Sequence, residues 1–244
     1  MSNPSLRIAR AGKEIGIHLL EEVRRRLADG HLLPTDHQTP PFLGQGMCAA
    51  LRDVSNLAWK LEAVVRGRSP DSLLDSYESE RSPHVHAFIE LAVRLGDIIQ
   101  ATDPDKARER DARFRAGQPE IFEFPAPRLG PGLVSGASAL VGRPFGQPRL
   151  DDGRLLDAAL GNRLAVIAYE DVLREVSDST RRTWAAWNAV PLPATDASLR
   201  DWLAAQGVKA VILRPDRYIL GLATTAVQLD ELSACLPLVE TQTT

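Results

Sequence analysis

The stretch of this 244-residue chain with the most capacity for chemistry is His37-Gln-Thr-Pro-Pro-Phe-Leu-Gly-Gln-Gly-Met47. Pro40-Pro41 imposes a rigid, extended entry. Gly44 and Gly46 permit positive φ and close approach of a ligand to the backbone. A strongly periodic segment follows at once, so the amides of Met47 and Cys48 fall in the first turn of a helix. Amides there have no intrahelical partner and accept anions. This loop is read as a rigid anion-accepting pocket, or as a plain structural turn. Cys48 is a reactive thiol or a passive small residue. His37 is a ligand, a base or a loop-packing histidine.

Other chemically capable residues lack that context. Cys48 and Cys235 lie far apart, with no CxxC and no Cys/His spacing suited to a metal. His84 and His86 have no metal partner at useful spacing. Trp184 and Trp187, three apart, are a binding face or a packing pair. Arg24-Arg25-Arg26 is a basic patch or a solvated helix end.

The elements that must position the loop come from periodicity. Residues 6–28 read as an amphipathic helix, with Gly12 and Gly16 weakening its first turns. Residues 47–66 read as a stronger one, with Leu51, Val54, Ala58, Leu61 and Val65 in one stripe and Trp59 alongside. Ser69 and Pro70 open a helix over 71–81, Pro83 opens another over 84–100, and Asp103-Pro104 starts a short charged one. Residues 117–148, rich in Pro and Gly, form an ordered connector. Beyond it, 164–169, 208–213 and 218–222 read as strands and 198–206 and 227–235 as helices. Arg214-Pro-Asp-Arg217 is a hairpin turn between the last two strands. The fold class is α/β, a helical half followed by a small sheet covered by helices.

Composition narrows the function. The chain is 44% hydrophobic, 25% charged and 5% aromatic, with net charge −3. It lacks the basic excess of a nucleic-acid binder, so no nucleic-acid partner is expected. No apolar run approaches a membrane span and the N-terminus lacks the apolar core of a signal peptide. A cytoplasmic setting without a membrane partner is expected.

Three motifs in order resemble one family. They are Pro40-Pro-Phe-Leu-Gly-Gln-Gly-Met47, Arg52-Asp-Val-Ser-Asn-Leu-Ala-Trp-Lys-Leu61 and Tyr77-Glu-Ser-Glu-Arg-Ser-Pro83. The family is the single-component FAD-dependent aromatic hydroxylases of the para-hydroxybenzoate hydroxylase and phenol hydroxylase type, with 3-(3-hydroxyphenyl)propionate hydroxylases the nearest resemblance. Residues 141–244, including Val211-Ile-Leu-Arg-Pro-Asp-Arg-Tyr218, resemble that family's thioredoxin-like C-terminal domain. The resemblance implies FAD as cofactor, NAD(P)H as co-substrate, and hydroxylation of a phenolic acid with O2. It implies that Pro41, Gly44, Gln45, Gly46, Met47 and Cys48 face the flavin, and that Pro40 and Phe42 lie at the flavin–substrate boundary. It gives Asp53 and Asn56 supporting polar roles and makes Arg81 a tie between helices.

The chain departs from the family in two places. No Gly-x-Gly-x-x-Gly fingerprint precedes residue 44, so the grip on the FAD pyrophosphate is missing. Leu33-Pro34 stands where the family has Gly-Asp. The expected organisation is an unassigned leader over 1–36, a partial FAD-binding domain over 37–116, a connector over 117–140 and the thioredoxin-like domain over 141–244. The expected activity is that of a hydroxylase incomplete as an isolated chain. The alternative is a non-catalytic assembly module or an inactive truncated hydroxylase. A homo-oligomer, or an N-terminal half supplied in trans, is the expected partner.

Overall fold

The computed structural model describes residues 9–10, 13–14, 44–99, 103–117 and 123–239. Two short strands, β1 (Ala9–Arg10) and β2 (Lys13–Glu14), pair antiparallel. They correct the helix expected there, in keeping with the cost that Gly12 puts on helical backbone. The rest of that expected helix lies outside the described residues.

Helix α1 (Gly46–Val65) falls where its periodicity predicts. A 3-10 turn over Asp71–Asp75 leads into α2 (Ser76–Ile99). Ser69 does not cap this segment. Pro70 holds the cap position, and the Ser69 hydroxyl donates to the Pro237 carbonyl at 2.9 Å. The break expected at Pro83 is absent, and α2 runs through it. A mid-helix proline costs one backbone bond, and here the connector packs against the defect. The Gly130 amide donates to the Glu80 carbonyl at 2.8 Å. A Cβ on Gly130 would overlap the Ser79 carbonyl oxygen and lie 2.8 Å from Pro83 Cγ. Helix α3 (Pro104–Arg115) is capped by the Asp103 side chain, which accepts from the Asp105 and Lys106 amides.

The second half is a four-stranded sheet with helices on both faces. Helix α4 (Leu156–Leu160) precedes β3 (Ala165–Ala168). Helices α5 (Glu170–Glu175) and α6 (Asp178–Ala186) lead to β4 (Val190–Pro193). Helix α7 (Ala197–Ala205), the hairpin β5 (Ala210–Leu213) and β6 (Ile219–Ala223), and α8 (Ala226–Ala234) complete it. The strand order is β4-β3-β5-β6, with β3 parallel to β4 and the other pairs antiparallel. Alternate residues of β3 feed separate cores: Val166 and Ala168 on one face, Ala165 and Ile167 on the other. Trp59, Ala63 and Val64 of α1 join the first core, together with Trp184 and Trp187. The two halves therefore share a core.

Both sheet edges are closed. Along β4, the amides of Val190 and of Ala194 just beyond it donate to the Leu164 and Ala168 carbonyls, while Pro191 and Pro193 alternate with them and leave the outer side without donors. Along β6 the connector supplies the pairing: Ser135 N–H to Leu220, Gly142 N–H to Ile219, and Ile219 N–H to Arg143.

Helix α1 reverses one expectation. Its buried side chains include Asp53, Asn56, Trp59 and Lys60, whereas Met47, Leu51 and Val54 are 73%, 60% and 63% exposed. The first part of the apolar stripe read from the sequence, Leu51, Val54 and Ala58, faces outward, while Leu61 and Val65 are half-buried. The helix turns its polar face inward because that face meets complementary charges.

Candidate functional site

The loop at the start of α1 comes first. Gly44 adopts φ +62°, a conformation suited to glycine, and no atom lies within 4 Å of where its Cβ would stand. Gln45 occupies the cap position without a side-chain cap bond, and the first turn contains no acidic residue. The backbone ladder begins with Ala49 N–H to the Gln45 carbonyl at 2.9 Å. The amides of Gly46, Met47 and Cys48 precede it and point out of the positive end of the helix. Gly44 and Met47 are exposed, and Gln45, Gly46 and Cys48 are half-buried. Cys48 is a free thiol. Pro40, Pro41, Phe42 and His37 lie outside the described residues.

Behind the loop, α1 is anchored by buried charges. Asp53, Asn56 and Lys60 sit at i, i+3 and i+7 and so share one face. Asp53 Oδ1 accepts from Arg81 Nε at 2.7 Å. Asn56 Nδ2 and Lys60 Nζ both donate to Glu80 Oε2 at 2.8 Å, and Lys60 also donates to Ser76 Oγ at 2.8 Å. Glu80 meets Arg214 through two parallel bonds of 2.8 and 2.7 Å. The Leu133 amide adds a further bond to Glu80 Oε1 at 2.7 Å. Arg214 also holds Asp216 at 3.0 and 2.8 Å and the Leu133 carbonyl at 3.2 Å, with its guanidinium 5.1 Å from the Trp59 ring centre. Lys60, Glu80 and Arg214 are 0% exposed.

This clasp joins α1, α2, the connector and the β5–β6 turn in one charge-balanced unit. Two cations, Lys60 and Arg214, face two anions, Glu80 and Asp216. Burial alone would raise the Glu80 carboxyl, but Arg214, Lys60 and Asn56 outweigh it and hold it at about 2. Burial lowers Lys60 to about 8, with Glu80 opposing. The two carboxylates keep Arg214 charged against its burial. His84, on the next turn of α2, packs edge-on against Phe88 with ring centres 4.8 Å apart. Burial, then the cations Arg81 and Arg52, lower it to about 4.

The tryptophan pair is packing. Trp187 lies 6.1 Å from Trp59, ring centre to ring centre, and Trp184 Nε1 donates to Ser233 Oγ at 2.9 Å. Arg81 ties helices together, as expected. Sequence reading missed the clasp of Lys60, Glu80, Arg214 and Asp216. The available signal was the line of polar residues at helical spacing within the α1 segment. A cleft of about 600 Å³ also lies between α1, Asp157 of α4 and the turn at Pro215. Among the described residues there is no cluster able to hold a metal, and no helix is long and apolar enough to cross a membrane.

Known proteins fit this geometry. Residues 35–92, spanning the loop, α1 and most of α2, match the family described as FAD binding domain. A probable NADH-specific resorcinol 4-hydroxylase of Rhodococcus jostii is 35% identical over 79% of this chain and 39% of its own length. A 3-(3-hydroxy-phenyl)propionate/3-hydroxycinnamic acid hydroxylase of Mycobacterium avium is 33% identical over 82% of this chain and 41% of its own. The flavin-dependent monooxygenase PieE, solved with FAD and substrate, superposes with TM-score 0.60 at 22% identity, covering 82% of this chain and 45% of PieE. OxyS anhydrotetracycline hydroxylase from Streptomyces rimosus gives TM-score 0.56 at 26% identity, covering 79% of this chain and 40% of OxyS. The chain thus spans about two fifths of the length of the curated relatives it matches. In sequence and in fold, it is a relative of the C-terminal portion of the FAD-dependent aromatic hydroxylases.

Proposed function

We propose that this chain contributes the flavin-edge portion of an FAD- and NAD(P)H-dependent monooxygenase acting on a phenolic acid of the 3-(3-hydroxyphenyl)propionate class. One observation carries the reading: an open glycine turn, with Gly44 at positive φ, meets the uncapped N-terminus of α1 inside the stretch that matches FAD binding domains. The residues fit one edge of the cofactor. Gly44, Gln45 and Gly46 leave room for a planar group, and the Gly46, Met47 and Cys48 amides suit a ring edge that gains negative charge on reduction. Pro41 would stiffen the entry, and Pro40 and Phe42 would border the substrate. FAD, when bound, supplies the redox and oxygen-transfer chemistry. The chain's own residues orient it and stabilise charge at its edge, and the clasp holds α1 still.

We also infer that residues 141–244 form a thioredoxin-like domain joined by the 117–140 connector to a partial FAD-binding domain over 37–116. The order β4-β3-β5-β6, with a single parallel pair and flanking helices, supports this. The domain lacks a CxxC motif, so its role is packing rather than thiol exchange. A cytoplasmic setting accords with NAD(P)H use.

The test is FAD binding and NAD(P)H-dependent oxygen uptake with 3-(3-hydroxyphenyl)propionate. Each is measured on the chain alone and with the remaining portion of the Mycobacterium avium relative. The chain alone is expected to bind FAD weakly, losing at least about 10³-fold in affinity for want of the pyrophosphate site. With the added portion, flavin binds and Gly44→Val weakens it at least tenfold. Flavin binding indifferent to Gly44→Val would overturn the assignment. The alternative, a non-catalytic assembly module, is favoured by the apolar outer face of α1, and oxygen uptake in neither case would select it.

A further inference from the structure

Beside the clasp lies a second buried polar group, and this one is not balanced. Arg81 is 0% exposed. Its Nε donates to Asp53 Oδ1 at 2.7 Å, but Nη1 and Nη2, also buried, meet no acceptor among the described residues. The Tyr218 hydroxyl and both ring nitrogens of His84 likewise lack a hydrogen-bond partner there, in side chains 3% and 5% exposed. A buried donor without an acceptor forfeits its hydration for nothing, and a charged donor forfeits most. Four donors and ring nitrogens of this kind in one place call for an acceptor.

These groups converge from three elements. Arg81 and His84 are three apart on α2 and share one face. Arg52 adjoins Asp53 on α1. Tyr218 lies just before β6, where its carbonyl accepts from the Arg214 amide at 2.9 Å, and the Arg214 side chain reaches Glu80, the residue before Arg81. Arg81 and Arg52 act electrostatically on both the His84 ring and the Tyr218 hydroxyl, so all four face a common volume. Arg214 and Asp216 also reach Tyr218 but offset each other within the clasp. That leaves two cations, Arg52 and Arg81, against one anion, Asp53, an excess of one positive charge.

We propose that Arg81, with the Tyr218 hydroxyl and the His84 ring, forms a receptor for a carboxylate group. The paired Nη1 and Nη2 of a guanidinium match the two oxygens of a planar carboxylate. The Tyr218 hydroxyl and one ring nitrogen of a neutral His84 can donate to the same oxygens. A single negative charge cancels the excess, whereas a dianionic phosphate would overshoot it. Arg52, half-buried, adds attraction from the more exposed side. The site is separate from the glycine turn and does not rest on the flavin-edge reading.

The test is urea unfolding of the full chain at pH 7 across a concentration series of a carboxylate, at constant ionic strength made up with sodium chloride. Formate supplies the bare group and 3-phenylpropionate the same group on a larger body. A saturable rise of the midpoint is expected, about 0.5 M at ten times the half-saturating concentration. A rise with formate alone assigns the site to a small free carboxylate, and a rise with both assigns it to the carboxylate end of a larger molecule. Tyr218→Phe raises the half-saturating concentration at least about fivefold. Without carboxylate it leaves the midpoint unchanged or higher, because the hydroxyl it removes has no partner. Arg52→Gln, at a half-buried position, also weakens the response. No saturable rise with either probe would overturn the proposal. So would a response indifferent to both substitutions, or a midpoint that falls in Tyr218→Phe without carboxylate, which would show the hydroxyl bonded within the chain.

Discussion

Replacing Arg214 by methionine isolates the charge balance of the clasp. The side chain keeps most of its volume, so the packing against Trp59 is largely preserved. What changes is charge: Glu80 and Asp216 then face Lys60 alone, leaving one buried negative charge uncompensated. Breaking one partner of a buried pair costs about 3–5 kcal/mol, against a total stability of about 5–15 kcal/mol. Glu80 would also lose two of its donors and the Leu133 carbonyl one. The assay is urea unfolding followed by fluorescence, since Trp59 and Trp187 report on the same core. With an m-value of about 2–3 kcal/mol per molar, the midpoint should fall by about 1–2 M. Glu80→Gln alone leaves an uncompensated cation and should cost a comparable amount. The double variant restores the balance of Lys60 with Asp216 and should recover at least about 2 kcal/mol relative to the sum. A loss below about 1 kcal/mol for Arg214→Met, or strict additivity in the double variant, would refute the reasoning.

Gly130→Ala places a methyl group against the Ser79 carbonyl and Pro83, and should cost about 2–3 kcal/mol in urea unfolding. In the β5–β6 turn, Arg217 holds φ +64°, so Arg217→Gly should be more stable than Arg217→Ala by about 1 kcal/mol, read as the difference between their midpoints. Acid should weaken the fold in two windows. The folded pKa of His84 lies near 4, below its ordinary 6.5, so the unfolded chain takes the proton first and stability falls from about pH 6.5 to 4. Glu80 lies near 2, below its ordinary 4.5, so its contribution is lost from about pH 4.5 downward. Unfolding curves across pH should show Glu80→Gln removing only the lower window and His84→Phe only the upper.

The helices and the hairpin with strong local signals were legible from sequence. Helix α1, the capped α3, the β5–β6 hairpin and α8 fall close to their expected limits. The misses are places where tertiary contacts override local preference. Strand β4 contains Pro191 and Pro193, which argue against a strand until the outer edge is known to be unpaired. Pro83 argues for a break until Gly130 is known to pack beside it. Helices α5 and α6 have too short an apolar pattern to stand out. The glycine turn and uncapped helix start over Gly44–Cys48 were legible because these residues are contiguous. The clasp was not, because Lys60, Glu80 and Arg214 lie on separate elements and only folding brings them together. Leu51, Val54 and Ala58 gave the right period and the wrong face, since periodicity finds a stripe without saying which side is covered.

The strap over residues 129–145 determines how this protein can be recombined. It pairs with Glu80 on one side and with β6 on the other, so it belongs to neither half alone. A crossover within it would match a strap from one parent with a helix or a turn from another. A viable chimaera between relatives must exchange 129–145 together with Lys60, Glu80 and the Arg214–Arg217 turn. A single join between Glu80 and Arg214 cannot meet that condition, even at the Asp103-Pro104 helix start. There α3 buries no side chain, yet Lys60 and Glu80 lie before it and the strap and Arg214 after it, so a join would divide the clasp between two parents.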